Sequence, residues 1–391
     1  MQKKLIALAI AGLSGAAFAQ SNVTLYGVAD ASFDVISVSG GSPANKADTP
    51  NFTRVSTNGS YIGFRGTENL GNGMNAMFQL ESNANFDSGG GLDTKRDSFV
   101  GLNGNFGTVL LGNLTGPTRA LGTRLDVNTG DTIGSNTALL GKLGGALSTW
   151  DGKRSTATGS VFDTRFTNSV AYVTPSFSGF QATAAYVANE NKSDAPGAKI
   201  NTTAYDVGAN YTNGPVFIGG TFSQVKDRND LPGFGLLGAL GGTDQKATEW
   251  RLGGMYDFGV ATVRALYART KGEITGGDIK QNVWGIGGTY NVTTNGRLTA
   301  QYYNAGDLNI SSSLCGVGCS DKDTGAKFFS IGYEHSLSKR TMLKAIYSYL
   351  KNDDSVGTNG TGGYDYGYNA TSYAGDELKI SGLQLGLRHA F

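Results

Sequence analysis

The two histidines are the side chains best suited to acid–base chemistry, and neither has the partners that catalysis needs. A serine nucleophile requires a nearby base, usually a histidine. Only His335 and His389 occur among the 391 residues. His389 falls in an alternating apolar row at the end of the chain, and His335 stands beside Glu334 near a short turn. No serine partner is signalled by spacing, so the sequence predicts that the protein is not an enzyme.

Charged residues within one long connection form a second candidate site. Roughly fifty residues separate Gly112 from Phe162. A connection of this length is uncommon in a compact fold and is usually functional. Its candidate site residues are Arg119, Arg124, Asp126 and Asp131.

The N-terminus indicates export. Lys3 and Lys4 precede a short apolar run that ends in Ala17-Phe18-Ala19. A basic start, a short apolar stretch and a small-x-small site are typical of a signal peptide. The run is too short for a membrane-spanning helix of about 20 residues. The alternative is a buried N-terminal helix, which rarely carries this bipartite pattern. We therefore expect a cleaved signal at residues 1–19 and one domain over 20–391.

Export also predicts the oxidation state of the two cysteines. Cys315 and Cys319 are separated by three residues. Because an exported chain meets an oxidising compartment, we expect a small disulfide that stiffens a loop. A metal centre would need two further ligands, and no histidine lies nearby in sequence. No cofactor motif is present, since the Gly-rich stretches have no following helix to form a phosphate cradle.

The composition favours a membrane protein that spans without helices. Without Lys3 and Lys4, 30 basic residues face 31 acidic ones, so no basic surface for nucleic acid is expected. Only 39% of residues are hydrophobic, and no apolar stretch after residue 19 approaches the length of a spanning helix. A membrane protein of this kind must alternate apolar and polar residues, as β-barrels do. A disordered Gly-rich chain is disfavoured by 18 tyrosines and 19 phenylalanines.

Alternation with a period of two begins directly after the signal. Between residues 23 and 35, apolar side chains share one parity and polar side chains share the other. Strand side chains point to alternate faces, so each such segment has one apolar and one polar surface. The apolar set is Val23, Leu25, Ala29, Ala31, Phe33 and Val35, and the polar set is Thr24, Asp30, Ser32 and Asp34.

Strand length and loop pattern distinguish a barrel from a β-sandwich. The alternating segments often reach about ten residues, against about five or six in globular sheets. Tight turns also alternate with long polar loops, as in outer-membrane barrels. We therefore predict an all-β fold, a sixteen-stranded antiparallel transmembrane β-barrel. The predicted strands are 22–37, 53–67, 73–86, 95–103, 106–113, 162–174, 178–189, 203–212, 215–226, 247–257, 260–271, 280–291, 297–308, 326–337, 340–351 and 378–391.

The last strand carries a specific terminal pattern. Phe391 ends the chain, and the apolar residues Leu383, Leu385 and Leu387 share its parity. A terminal Phe with alternating apolar residues resembles the signal that is read by the outer-membrane barrel-assembly machinery.

Several ordered motifs resemble one family across the whole mature chain. The sequence is similar to the trimeric general porins of the betaproteobacterial and neisserial type. Matches in the correct order are more specific than any single one. The matching stretches are 23–27 (VTLYG), 63–73 (GFRGTENLGNG), 99–102 (FVGL), 105–109 (NFGTV) and 168–180 (NSVAYVTPSFSGF).

The resemblance implies a location, an assembly and a function. It implies a homotrimer in the bacterial outer membrane, in contact with lipid and lipopolysaccharide. It also implies a water-filled channel for passive diffusion of small hydrophilic solutes and ions. The third loop, which is the long connection described above, would fold into the lumen and narrow it.

The resemblance also selects wall residues that face the loop. A transverse field between loop and wall charges would sort solutes by sign. Parity turns Arg65 and Arg165 inward, whereas Arg96 shares the parity of Val100 and needs a bulge or twist to face the lumen. Taken singly, each arginine is equally compatible with a solvated residue of no selective role. The wall candidates are Arg54, Tyr61, Arg65, Lys95, Arg96, Asn113 and Arg165.

Three departures from the family weaken the expected anion preference. Tyr61, Asn113 and Ala171 stand where relatives commonly have a basic residue. We therefore expect weak anion selectivity, or nearly none.

Two other functions compete with a general channel. A substrate-specific channel would bind its solute in the lumen, with Tyr26 and Tyr61 as inward aromatic residues. An adhesin would need a plugged lumen or a soluble passenger, for which the chain has no room.

Overall fold

A computed structural model describes residues 23–40, 51–89, 92, 94–145, 147, 160–190, 192, 194, 201–226, 245–274, 276–311, 321–355, 364 and 377–391. The predicted signal peptide, Cys315 and Cys319 lie outside these residues.

Eighteen strand segments form one antiparallel sheet. β2 and β3 both pair with β1, and β14 and β15 both pair with β13, so each couple is one interrupted strand and the barrel has sixteen. The sixteen-stranded prediction is confirmed. The segments are β1 Thr24–Ser39, β2 Phe52–Ser56, β3 Tyr61–Gly71, β4 Met74–Asn83, β5 Ser98–Gly104, β6 Gly107–Thr115, β7 Arg165–Val173, β8 Phe180–Val187, β9 Thr203–Asn213, β10 Val216–Lys226, β11 Lys246–Asp257, β12 Ala261–Ile274, β13 Gly277–Asn291, β14 Gly296–Ala305, β15 Asn309–Ile310, β16 Ala326–Ser336, β17 Thr341–Asn352 and β18 Lys379–Ala390.

The first and last strands close the sheet. β18 pairs with β1 from Val28↔Ala390 to Ser39↔Lys379. Past the end of this ladder, the Gly27 N–H donates to the Phe391 carbonyl over 3.2 Å, and the Phe391 N–H donates to the Gly27 carbonyl over 3.1 Å. A closed sheet leaves no strand edge to be satisfied by lipid, which has no hydrogen-bonding groups.

The alternation in the sequence becomes an inside and an outside. On β18, Leu383, Leu385 and Leu387 are 44%, 55% and 49% exposed, whereas Gln384 between them is fully buried. The apolar residues therefore cover the outer surface and the polar residues face inward, as expected for a barrel with lipid outside.

The two ends of the barrel differ. One end carries tight turns, such as the one between β3 and β4, where Gly71, Asn72 and Gly73 adopt φ of 83°, 51° and 74°. These left-handed conformations suit glycine and asparagine. The start of β1 and the end of β18 lie at this end, and the long connections begin and end at the other.

The connection from β6 to β7 contains the one α-helix among the described residues, α1 (Pro117–Leu125), and two 3-10 turns at Asn136–Ala138 and Leu143–Gly145. Within the described residues, no helix has both the length and the apolar character needed to cross a membrane.

One predicted strand boundary is wrong in a way that matters for the site. β5 begins at Ser98 rather than at residue 95, so Lys95 and Arg96 precede the strand. The Asp97 carboxylate receives the Thr115 N–H over 2.7 Å and the Arg165 guanidinium over 2.7 Å. These contacts hold the segment against β6 and β7. Arg96 therefore does not obey the alternation of β5, and its side chain reaches inward.

The outward apolar face generates a prediction about stability. Leu252, in the middle of β11, is 60% exposed on the outer surface. We expect Leu252→Arg to lower the free energy of unfolding by about 2–4 kcal/mol, because the charge would lie near the bilayer midplane. Thr248→Arg, on the same face near the long-loop end, should cost about 0–1 kcal/mol. Urea unfolding in lipid vesicles measures both, and equal effects would contradict the assignment of this face to lipid.

Candidate functional site

The long connection enters the lumen as α1, whose N-terminus is capped from the barrel wall. The cap position, Gly116, has no side chain to serve the free N–H groups. Asp206 on β9 acts in place of a capping side chain. Its carboxylate accepts from the Thr118 N–H over 3.1 Å and from the Thr118 hydroxyl over 2.6 Å. A carboxylate at a helix N-terminus is stabilised by the orphan N–H groups and the helix dipole.

Glycines on the inner wall form the bed on which α1 lies. Gly208, Gly219 and Gly253 face inward from β9, β10 and β11. A Cβ at these positions would lie 2.3–2.9 Å from side chains of α1, so a larger residue would require those side chains or the helix to shift. The helix residues are spaced by four, so they share one face of α1. They are Pro117, Leu121 and Leu125, in the same order as the glycines.

After α1, the loop is hydrogen-bonded to the opposite wall. The buried carboxylate of Asp126 accepts from the Ser135 hydroxyl over 2.6 Å and from the Gln301 side-chain amide over 2.9 Å. Asn128 donates to the hydroxyl of Ser330 on β16 over 3.1 Å. Burial raises the pKa of Asp126 above its usual range, although the hydrogen bonds oppose this. Asp126 is therefore part of the anchor of the loop.

Asp131 is anchored by a buried lysine. It forms an ion pair with Lys344 on β17, whose ammonium also donates to Asp30 on β1 over 2.9 Å. Burial raises the pKa of Asp131 to about 7, against the opposing effect of the Lys344 charge. Two carboxylates thus share one ammonium, and loop and wall are joined at this point.

The two ends of the loop meet at one arginine. Arg251 on β11 is completely buried and binds Asp163 through two hydrogen bonds of 2.8 Å. It also donates to Glu249 over 2.5 Å and to the Thr118 carbonyl over 3.0 Å. Removal of one partner from such a buried group typically costs about 3–5 kcal/mol. The loop therefore lies fixed against the inner surface of β9–β18.

The other side of the lumen remains open. A cavity of about 2220 Å³ extends between the loop and the wall formed by β3–β10. Several predicted site residues line it together, although Asp126 and Asp131 contribute only an edge because both are buried. The predicted residues in the lining are Tyr61, Lys95, Arg96, Asn113, Arg119, Arg124, Asp126, Asp131 and Arg165.

Carboxylates neutralise most of the wall arginines. Arg165 pairs with Asp97 at 2.7 Å, and Arg96 pairs with Glu81 at 3.3 Å. These pairs reduce the net positive charge that the wall presents to a solute.

The positive charges of the two loop arginines are less compensated by carboxylates than those of the wall. Arg119 makes no ion pair within the described residues, and burial together with the nearby Arg165 charge lowers its pKa to about 10. It is therefore still cationic at neutral pH. The Arg124 guanidinium lies 3.9 Å from the centre of the Phe217 ring.

Aromatic rings hold two arginines in place on the wall. The Arg65 guanidinium lies 4.8 Å from the centre of the Tyr26 ring, and Arg96 lies 4.5 Å from that of Tyr61. The two rings pack edge to face at 6.1 Å. Arginine stacked on an aromatic face keeps its charge while losing conformational freedom. The tyrosine faces are thus covered by arginines.

Two predicted wall residues lie outside this cavity. Arg54 is paired with the buried Asp34 at 2.9 Å. Arg65 stacks on Tyr26 and does not line the cavity. Asn113 donates its amide to the Arg96 carbonyl over 2.9 Å, so it fixes the segment that carries Arg96.

The residues that anchor the loop were not predicted from the sequence. They are Asp206, Arg251 and Lys344, charged residues at inward strand positions. A charge on the inward parity of a strand is expected in a wet lumen, so the sequence carried no signal that these three are buried under the loop.

Comparison with known proteins agrees with this geometry. A family of Gram-negative porins matches residues 5–355. The chain belongs to the Gram-negative porins. Outer membrane porin protein 32 of Delftia acidovorans is 34% identical over the full length of both chains. An outer membrane porin protein of Bordetella pertussis is 32% identical over 90% of this chain and 95% of its own.

The fold also matches a solved porin. The anion-selective porin from Comamonas acidovorans superposes with a TM-score of 0.72 and 30% identity, covering 95% of this chain and all of that chain. The protein is therefore a channel of the bacterial outer membrane and not an enzyme. The predicted family, location and channel function are confirmed.

The glycine bed under α1 generates a prediction about conductance. We expect Gly219→Val to displace α1 towards the open cavity, narrow the pore and reduce the single-channel conductance, with a cost of about 1–3 kcal/mol for overpacking. Gly220→Val is the matched control, because its Cβ would point outward and meet nothing closer than 3.7 Å. Planar-bilayer recordings measure both variants. Unchanged or increased conductance of Gly219→Val would contradict the packing of α1 on β10.

Proposed function

We propose that this porin is a weakly anion-selective channel for small hydrophilic solutes. The observation that carries the proposal is the uneven compensation of charge around the cavity. Arg165 and Arg96 are paired with carboxylates at 2.7 and 3.3 Å, whereas Arg119 makes no ion pair within the described residues. The anion-selective relative from Comamonas acidovorans supports the sign of the preference.

A weak preference follows from the electrostatics of the cavity. An unpaired arginine in a narrow aqueous passage raises the local concentration of anions and repels cations. The ion pairs on the wall contribute little net potential beyond a few ångströms, because their charges cancel and salt screens the remainder. The loop carboxylates Asp126 and Asp131 are committed to the anchors, so they provide no strong opposing field.

A solute-specific channel is less well supported. The rings of Tyr26 and Tyr61 are the inward aromatic residues that this alternative would use. Both are already stacked with arginine. A general diffusion channel is therefore the better-supported function.

Reversal potentials test the proposed selectivity. Across a tenfold KCl gradient, we expect a potential of the anion-selective sign, well short of the roughly 59 mV of a perfectly selective pore. Arg119→Gln should move it towards zero, because a cavity-lining arginine that makes no ion pair within the described residues is lost. Arg340→Gln, in the exposed turn at the opposite end, is the control and should leave it unchanged. A steep anion preference, or no effect of Arg119→Gln, would contradict the proposal.

The assembly and partners belong to the same proposal. We propose a homotrimer whose subunits meet through the outer surface of β1–β5. The described strands there expose Phe33, Val55, Phe64 and Val100, and no lysine or arginine faces outward. The barrel-assembly machinery would recognise the strand that ends in Phe391, and lipopolysaccharide would surround the outer rim. Residues 1–19 would be removed on export, so that the mature chain would begin at Gln20.

A further inference from the structure

We propose that Asn58 positions the tip of the long connection between β6 and β7 and thereby keeps the pore at one width. Asn58 lies in a four-residue turn, residues 57–60, which separates β2 from β3 and is called here the wall turn. The loop tip is defined as residues 130–132. The inference goes beyond the proposed function, because it concerns the width and steadiness of the channel and does not depend on the sign of its selectivity.

The wall turn interrupts the barrel wall without leaving β1 unpaired. β1 pairs with Ser56 before the turn and with Tyr61 after it, so the four residues of the turn lie opposite only residues 29–31. At the centre of the interruption, the Ser60 hydroxyl accepts from the Asp30 N–H and donates to the Asp30 carbonyl, both over 2.8 Å. Extra residues of this kind bend a strand and often redirect side chains beside functional sites.

The wall turn projects into the lumen and meets the loop there. Thr57, Asn58 and Gly59 line the cavity, and Asn58 adopts a φ of 38°, a left-handed conformation that asparagine tolerates better than most residues. A Cβ on Gly59 would lie 3.5 Å from the Cα of Gly130, and a Cβ on Gly130 would lie 3.7 Å from the Cα of Gly59. The backbone of the loop tip therefore lies directly against the wall turn.

The Asn58 carboxamide links the loop tip to two strands. Its oxygen accepts from the Thr132 N–H over 3.2 Å and from the Gln384 side-chain amide on β18 over 2.9 Å. Its nitrogen donates to the Asp30 carboxylate over 2.7 Å and to the Ser32 hydroxyl over 3.2 Å, both on β1. One side chain thus fixes the loop relative to β1 and β18.

Two further contacts attract the loop tip but leave its position adjustable. Asp131 forms the ion pair with Lys344, whose ammonium is a point charge on a flexible four-carbon stem. The Thr132 hydroxyl, which can rotate, donates to the Asp34 carboxylate over 3.1 Å. The contact between the Thr132 N–H and Asn58 is more restrictive, because the donor belongs to the backbone and hydrogen bonds weaken steeply away from linearity. These contacts hold the tip near the wall, and Asn58 determines where it stops.

The position of the loop tip determines how much of the passage is open. Thr129 and Gly130 are exposed and line the cavity, whereas residues 126–128 before them are buried and bonded to β14 and β16. If the tip leaves the wall turn, this exposed stretch is free to move into the passage. Asn58 therefore acts on the pore through the backbone of the loop.

The first test replaces Asn58 by glycine in the full-length mature protein, recorded in planar bilayers. Glycine keeps the left-handed conformation of the wall turn and removes only the carboxamide. We expect Asn58→Gly to raise the open-channel current noise severalfold and to lower the mean conductance, because the loop tip then moves in and out of the passage. The reversal potential should stay that of the wild type, since no charge is lost.

Asn72→Gly is the matched control. Asn72 also has a left-handed conformation, with a φ of 51°, and it lies in the exposed tight turn between β3 and β4. The same substitution there should leave both the current noise and the conductance unchanged.

A reversible cross-link supplies the readout that a merely structural role would not move. In a background with Cys315→Ser and Cys319→Ser, Gly59→Cys and Gly130→Cys place two thiols across the contact, at a separation compatible with a disulfide. We expect oxidation to form the bond and to restore a quiet channel of wild-type conductance to the Asn58→Gly protein. Reduction with dithiothreitol should bring the noise back in the same preparation.

Several results would overturn the inference. They are wild-type noise and conductance in Asn58→Gly, an equal change in Asn72→Gly, failure of the two cysteines to cross-link, and a cross-link that forms but leaves the noise unchanged. Increased noise in Asn58→Gly that disappears on cross-linking would confirm it. A steep anion preference of the wild type would contradict only the proposed selectivity.

Discussion

Every backbone N–H and carbonyl inside the hydrocarbon must find a partner within the protein. In this chain the constraint is met by closing one antiparallel sheet on itself, with β18 paired to β1 along twelve residues and the Phe391 backbone paired to Gly27 beyond them. Once the sheet is closed, residues of one parity along each strand face lipid and residues of the other parity face the lumen. The apolar exterior, the polar interior and the shape of the passage all depend on that closure.

The closed wall then determines what the lumen can do. Inward positions on β9–β18 carry small residues and buried charges that hold the long loop, such as Gly219 beneath α1 and Arg251 at its two ends. Inward positions on β3–β8 such as Tyr61 and Thr183 line the cavity instead. Asp126 and Asp131 are buried and anchor the loop, so they oppose the cavity arginines only from its edge. The proposed weak anion preference would follow from this arrangement.

The fold could be predicted from the sequence almost completely, because alternation is a local property. Each strand shows its two faces in its own residues, and a tight turn such as Gly71-Asn72-Gly73 marks its end. The site could be predicted only in part. Arg165 lines the cavity as expected, but a register shift between Phe166 and Ser169 interrupts the alternation of β7 on which that expectation rested. Arg96 lies before β5 and is turned inward by contacts with Glu81 and Tyr61. Asp206, Arg251 and Lys344 look like ordinary lumen residues in sequence, since only the three-dimensional path of the loop reveals that they are buried.

The most direct test of the account is the accessibility of consecutive positions on one strand. In a background with Cys315→Ser and Cys319→Ser, single cysteines replace Gln181, Ala182, Thr183 and Ala184 on β8 and are spin-labelled in lipid bilayers. Gln181 and Thr183 line the cavity, whereas Ala184 is exposed on the outer surface. We predict that labels at 182 and 184 respond to oxygen dissolved in lipid and labels at 181 and 183 respond to a water-soluble nickel chelate. Uniform accessibility to the nickel chelate at all four positions would contradict a barrel with lipid outside and water inside.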